Sequence, residues 1–240
     1  RELLIDVIAG LLDGIRHDAV GASSPIPAAG AMLLRARNAR AGKPPVRVSI
    51  LGSQEHNFFT NGAVELFDCA AQGRVDAFFL GGGQIAGAGN INLVGTGTYP
   101  KTDVRWPGSF GSAYLYHLVP RVILFREEHS PRVFVPKVDF VSAAATTPEV
   151  KRRGGPYALL TNMALFDFDR SRSGFVLRSV HPGYSPADVR SQTGFDYAEP
   201  ADVATTPLPD ADTLALLRGR IMDELAETYP AFARAMLQAA

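Results

Sequence analysis

Phe78 to Gly97 reads FFLGGGQIAGAGNINLVGTG, and the reading of this stretch decides the fold. It continues an almost wholly apolar run, Val75 to Leu80, that suits a strand covered on both faces, as in a parallel sheet. The run passes directly into glycines 81, 82, 83, 87 and 89. Such a loop lets backbone approach a ligand closely and can aim N–H groups at an anion, because glycine has no side chain and tolerates positive φ. Open α/β sheets bind ligands at this place, beyond the carboxyl end of a strand. Gly81, Gly83 and Ala86 fit the G-x-G-x-x-A spacing, with Asp103 downstream, but a dinucleotide fingerprint must open a helix. Ile85 to Asn92 (IAGAGNIN) places two glycines and two asparagines where that helix would propagate, which argues against the fingerprint. A tight glycine turn with no ligand remains the plain alternative.

Working outward, helix and strand alternate. Leu3, Leu4, Val7, Ile8, Leu11, Leu12 and Ile15 share one face at helical spacing. A second helical run carries Met32, Leu33 and Leu34 and ends at Arg40, Ala41 and Gly42. Val46, Val48, Ile50 and Leu51 read as a strand, Asn61 to Gln72 as a helix, and RVILFR at 121–126 and RVFVPKVDF at 132–140 as two more strands, the second placed at an edge or bulge by Pro136. From Tyr157 the pattern changes to consecutive short strands. Ser185, Pro186 and Asp188 form a helix start, and Asp210 and Asp212 open a final helical region with Leu214, Leu217, Ile221 and Leu225. The expectation is an α/β fold with an open, largely parallel sheet, helices on both faces and an antiparallel extension, in a single domain over 1–240. The stretches 143–155 and 197–209 read as loops over that domain.

Composition narrows the function. The 240 residues carry 24 basic and 24 acidic side chains and are 46% hydrophobic, so a disordered chain is excluded and the basic field used in nucleic-acid binding is missing. No apolar run approaches membrane-helix length. Cys69 is the single cysteine, which rules out an internal disulfide and suits a reducing compartment, and the expected setting is cytoplasmic. The five histidines show no metal-ligand spacing, so no metal is expected. Ser53, His56 and Asp68 lack the turn that a serine nucleophile needs.

Three motifs in order carry a resemblance. GGGQIAGAGNIN at 81–92, VDFVSA at 138–143 and HPGYSPADVRSQTGFDY at 181–197 make the chain similar to the β subunit of class I coenzyme A transferases of the glutaconate type. The resemblance implies an α subunit of similar fold as partner, in an αβ or (αβ)2 assembly, with an acyl-CoA substrate, coenzyme A as part of that substrate and no separate cofactor. In that family a glutamate after an early strand attacks the thioester carbonyl, and backbone amides of the glycine loop, here Gly82 and Gly83, stabilise the oxyanion. At the glutamate's position this chain has Gly52, in the run SILGSQEHN at 49–57. Glu55 is the nearby carboxylate and the candidate displaced nucleophile; Ser53, Gln54, Asn57 and Arg126 are candidate substrate-binding residues. Resemblance to a second branch implies that the same fold hydrolyses a carbon–carbon bond of a CoA-linked ring with an α-subunit carboxylate, which the missing glutamate favours. A non-catalytic structural subunit is the reading from outside the enzymes.

Overall fold

The computed structural model describes residues 1–145 and 152–238, which divide into two compact units, 1–79 with 208–240, and 80–207. The first begins with α1 (Glu2–Leu11), whose buried face is Leu4, Ile5, Ile8 and Leu11. Strand β1 (His17–Val20) lies in the stretch that the sequence left unassigned, because four residues are too few to show a period. Then come α2 (Pro25–Arg40), β2 (Arg47–Ile50), α3 (Gly62–Ala71) and β3 (Ala77–Leu80). α2 starts with proline in its first turn and buries residues all round, Ile26, Met32, Leu33 and Leu34 among them. Gly30 is where α1 meets it: a Cβ there would stand 2.3 Å from Cγ2 of Ile8, so the two helices approach through a missing side chain. β1 pairs in parallel with both β2 and β3.

The second unit opens with three short ladders, β4 (Gln84–Ala86), β5 (Ile91–Asn92), β6 (Gly95–Thr96) and β7 (Val104–Arg105) being their first strands. After α4 (Ser112–Leu118) come β8 (Arg121–Arg126), β9 (Phe134–Val135), β10 (Pro156–Thr161), β11 (Ala164–Asp169), β12 (Gly174–Val180), α5 (Pro186–Gln192) and β13 (Ala204–Thr205). β8 and β10 are parallel, whereas β10, β11 and β12 form an antiparallel meander and β13 adds in parallel to β12. The α/β class, the largely parallel pairing and the antiparallel extension are thus those expected. The expected strand at 132–140 shrinks to Phe134–Val135, ending where Pro136 withdraws its N–H. α5 carries a complete capping box between Ser185 and Asp188. Of the loop expected at 143–155, residues 146–151 lie outside the described residues.

The last segment returns to the first unit. It is one continuous helical region in the sequence but several pieces in space: α6 (Ala211–Leu216), capped by Asp210, a π-helical turn (Leu217–Ile221), α7 (Met222–Leu225) and α8 (Pro230–Gln238). Gly219 breaks the run with non-helical angles, which glycine accepts at low cost.

Asp18 is an anomaly of the first core. It sits mid-strand on β1 between Val48 and Ala77, is fully buried, and neither carboxyl oxygen has a hydrogen-bond partner. Burial pushes its carboxyl well above the usual range. The folded chain therefore holds a proton that the unfolded chain releases near the ordinary aspartate value, and stability falls as pH rises through that window. Between these limits the wild type should lose about 1.4 kcal/mol of stability per pH unit relative to Asp18→Asn. Urea unfolding of both proteins across acidic to neutral pH measures it; parallel curves would show that Asp18 ionises normally.

Candidate active site

Two loops hold the residues singled out by the sequence, one in each unit. The first leaves β2. Leu51 N–H donates to Val20 carbonyl (2.9 Å) and Ile50 N–H to His56 carbonyl (2.9 Å), so the chain folds back as soon as the strand ends. Gly52 has φ +95°, a conformation that L side chains rarely adopt, and a Cβ there would contact Cβ of Ala22 at 3.4 Å. Position 52 thus calls for glycine for a backbone reason.

Ser53 is buried, and its hydroxyl is used twice within the chain: it donates to Glu227 (2.7 Å) and accepts the His56 N–H (2.8 Å). Gln54 N–H donates to the other Glu227 oxygen (2.8 Å), while the Gln54 side chain belongs to an exposed residue. Glu55 is exposed, with no hydrogen bond or ion pair among the described residues. Asn57 Oδ1 accepts the Phe59 N–H (3.2 Å), a local turn contact. His56 is buried with Nε2 3.5 Å from Glu224, which also pairs with Arg35. The Ser53 hydroxyl therefore points to a carboxylate and not to the imidazole, and no Ser–His dyad exists here.

Glu227 has no signal in the sequence, since it lies 174 residues from Ser53 in a helix-connecting turn. Burial opposes its ionisation, but hydrogen bonds from Thr228, Ser53 and Gln54 outweigh that and hold its carboxyl below the usual glutamate range.

The second loop leaves β3. Gly82 and Gly83 do not have positive φ; what they need is space. A Cβ on Gly82 would stand 2.7 Å from Ile85 Cγ1 and 2.8 Å from the Gln84 carbonyl oxygen, and one on Gly83 would run into the Trp106 ring at 2.2 Å. Of the two amides expected to face an oxyanion, that of Gly83 is engaged, donating to Asn92 carbonyl at 2.9 Å. For the Gly82 N–H no partner exists among the described residues. The loop opens onto a cleft of about 400 Å³ whose walls include Gly81, Gly82, Gly83, Trp106, Arg126 and Arg132. Arg126 ends β8 and lies 3.4 Å from Glu128, which also takes Arg132 (2.6 Å) and the Ser130 hydroxyl (2.7 Å). These donors, Ser130 first, keep the Glu128 carboxyl below its ordinary range.

Beneath the loop lies a buried amide network. Gln84 Oε1 accepts from Asn92 Nδ2 (2.8 Å) and from the Asp139 N–H (2.9 Å), and Gln84 Nε2 donates to Asp139 Oδ2 (3.1 Å). Asp139 also accepts the Gly97 N–H (2.9 Å), and Asn92 Oδ1 accepts the Val94 N–H (2.9 Å). Gln84, Asn92 and Asp139 belong to the first two motifs of the sequence, and in the structure they join those motifs. Among the described residues no three His, Cys, Asp or Glu side chains group to hold a metal ion, and no helix is long and apolar enough to cross a membrane.

The sequence profile of the Coenzyme A transferase family matches residues 49–192, more than half of the chain, and the chain belongs to that family. It is similar to a subunit of the 3-oxoadipate CoA-transferase of Pseudomonas knackmussii, 29% identical over 61% of this chain and 58% of that protein. It is similar also to the cholesterol ring-cleaving hydrolase IpdB subunit of Mycobacterium tuberculosis, 29% identical over 65% of this chain and 64% of that one. The chain thus spans less than two thirds of the curated relatives it matches. Among solved structures, the decarboxylase AibA/AibB superposes with a TM-score of 0.76 at 26% identity, covering 93% of this chain and 97% of that one. The matched region contains both loops but not Glu227.

Gly83→Ala should cost activity and about 2 kcal/mol of stability through the collision with Trp106. Trp106→Ala in the same chain should recover much of that stability. Thermal melts of the two single variants and the double variant check this, and additive losses would show that the ring does not set the requirement.

Proposed function

We propose that this chain is the β subunit of a heteromeric CoA-transferase-like enzyme that acts on an acyl-CoA thioester together with an α subunit of similar fold. The observation that carries this reading is the Gly81–Gly83 loop: an unpartnered Gly82 amide opens beside a cleft that also holds Arg126 and Arg132. A tetrahedral intermediate at a thioester carbonyl carries negative charge on oxygen, and a prepositioned N–H stabilises that charge without reorganising. Arg126 and Arg132 share the Glu128 carboxylate, and the net positive charge that remains suits an anionic part of the substrate, since the guanidinium fork matches carboxylate or phosphate. Coenzyme A enters as part of the substrate. The single cysteine, buried and unpaired, accords with a cytoplasmic setting.

Hydrolysis of a carbon–carbon bond in a CoA-linked ring is the second reading, and Gly52 favours it. A left-handed glycine leaves that loop position without a carboxylate, and Glu55 is held by nothing that would aim it. A nucleophile acts efficiently only when its attack geometry is fixed. In this reading a carboxylate of the α subunit does the acid–base work.

The pure single chain should show neither CoA transfer nor hydrolysis, and the complex with its α subunit should show one of them; full turnover by the chain alone would overturn the two-subunit reading. Treating the complex with acyl-CoA and then borohydride separates the chemistries, because borohydride reduces a glutamyl thioester to an alcohol. We expect no mark on the Ser53–Phe59 peptide. A stoichiometric mark on Glu55, lost in Glu55→Gln with the complex intact, would instead establish transfer through a displaced nucleophile.

A further inference from the structure

The loop that follows β2 is held by a carboxylate from far along the chain. Glu227 comes from the turn between α7 and α8, outside the part of the chain that the family profile matches, and it reaches two consecutive residues of the loop. One oxygen takes the Gln54 N–H (2.8 Å); the other takes the Ser53 hydroxyl (2.7 Å) and the Thr228 hydroxyl. Ser53 Oγ passes the constraint on by accepting the His56 N–H (2.8 Å), and the His56 carbonyl accepts the Ile50 N–H (2.9 Å) at the end of β2. A chain of hydrogen bonds therefore runs from Glu227 through Ser53 and His56 to the strand end. Two neighbours add to it: Tyr229 OH donates to the Gly21 carbonyl beyond β1 (3.2 Å), and Glu224 stands 3.5 Å from His56 Nε2.

We propose that Glu227 is a positioning residue for the Gly52–Asn57 loop, locking its backbone through Ser53 and Gln54 so that the loop, with Asn57, is presented to the substrate in one fixed arrangement. The inference rests on the reading of this loop as part of an acyl-CoA site. The physical case is that a glycine of positive φ gives the loop no side-chain anchor of its own, and an 11-residue connection between β2 and α3 has many conformations to choose from. Hydrogen bonds to an ionised carboxylate are roughly twice as strong as neutral ones. A carboxylate accepts from all three donors with charge assistance, whereas a glutamine keeps only the Gln54 N–H on its oxygen and must reverse the two hydroxyl contacts into weaker neutral ones.

The test uses the complete complex. In Glu227→Gln, amide hydrogen exchange at 53–56 should accelerate at least tenfold while the exchange of β1 and α2 stays as in wild type. With acyl-CoA, kcat should fall about tenfold, as expected for one lost charge-assisted hydrogen bond, with the melting temperature nearly unchanged and Glu227→Asp recovering part of the loss. Ser53→Ala should reduce kcat similarly, and the double variant should be no worse than either single one, because both break the same chain of bonds. Unchanged exchange at 53–56 would overturn the lock. Faster exchange with full kcat, additive losses, or losses of kcat and melting temperature in proportion would overturn the positioning role. If the wild-type complex turns over no acyl-CoA, the functional reading fails and the positioning role with it, whereas the exchange measurement still decides whether the lock exists.

Discussion

A buried primary amide has four hydrogen-bonding directions to fill, and Asn92, fully buried in the second unit, fills all four, donating to Gln84 and the Gly95 carbonyl and accepting from the Val94 and Gly95 N–H groups. Gln84 places its oxygen against two donors and its nitrogen against Asp139, so it binds the strand that follows the glycine loop to Asn92 and to the Asp139 segment. Asn92 in turn fixes the next turn through Val94 and Gly95. An unsatisfied buried amide costs about 1–3 kcal/mol, and so the two buried amides, Gln84 and Asn92, depend on each other, with the exposed Asp139 as a further partner of Gln84. The Gly81–Gly83 backbone rests on this base: the Gly83 N–H is spent on the Asn92 carbonyl, while the Gly82 N–H has no partner among the described residues.

The sequence made part of this legible. Period and punctuation located α1, α2, α3, β2, β3, β8 and the meander β10 to β12, because each has an apolar face or run with a definite spacing. They did not reveal β1 or the small ladders β4 to β7, whose strands of two to four residues are too short to show a period, and of which β1 and β4 take partners far along the chain in β2, β3 and β9. The break at Gly219 was equally hidden, since the leucine and isoleucine spacing continues through it. Local pattern reports local structure, and these elements exist through tertiary contact.

The site divides the same way. The requirement for glycine at 82 and 83 has a different reason from the one the sequence suggested: positive φ gives way to crowding by Ile85 and Trp106, which lie further along the chain. Ser53, Gln54, Asn57 and Arg126 were recognisable as polar groups after strands, yet Ser53 proves to be occupied internally, a fact that depends on a carboxylate 174 residues away. Nothing in a one-dimensional reading pairs those two residues. Residue order shows which loops bear chemistry, whereas the assignment of atoms to roles within a loop requires knowing which hydrogen bonds are already taken.

Gly52 also bears on how such a chain changes over time. A carboxylate at this position requires more than a new codon, because the backbone must first leave a conformation that β-carbon-bearing residues resist and that the surrounding turn now maintains. Either change made first is unfavourable without the other. A reactive group for this loop is therefore more easily supplied from another position or another chain than by a side chain at 52 itself.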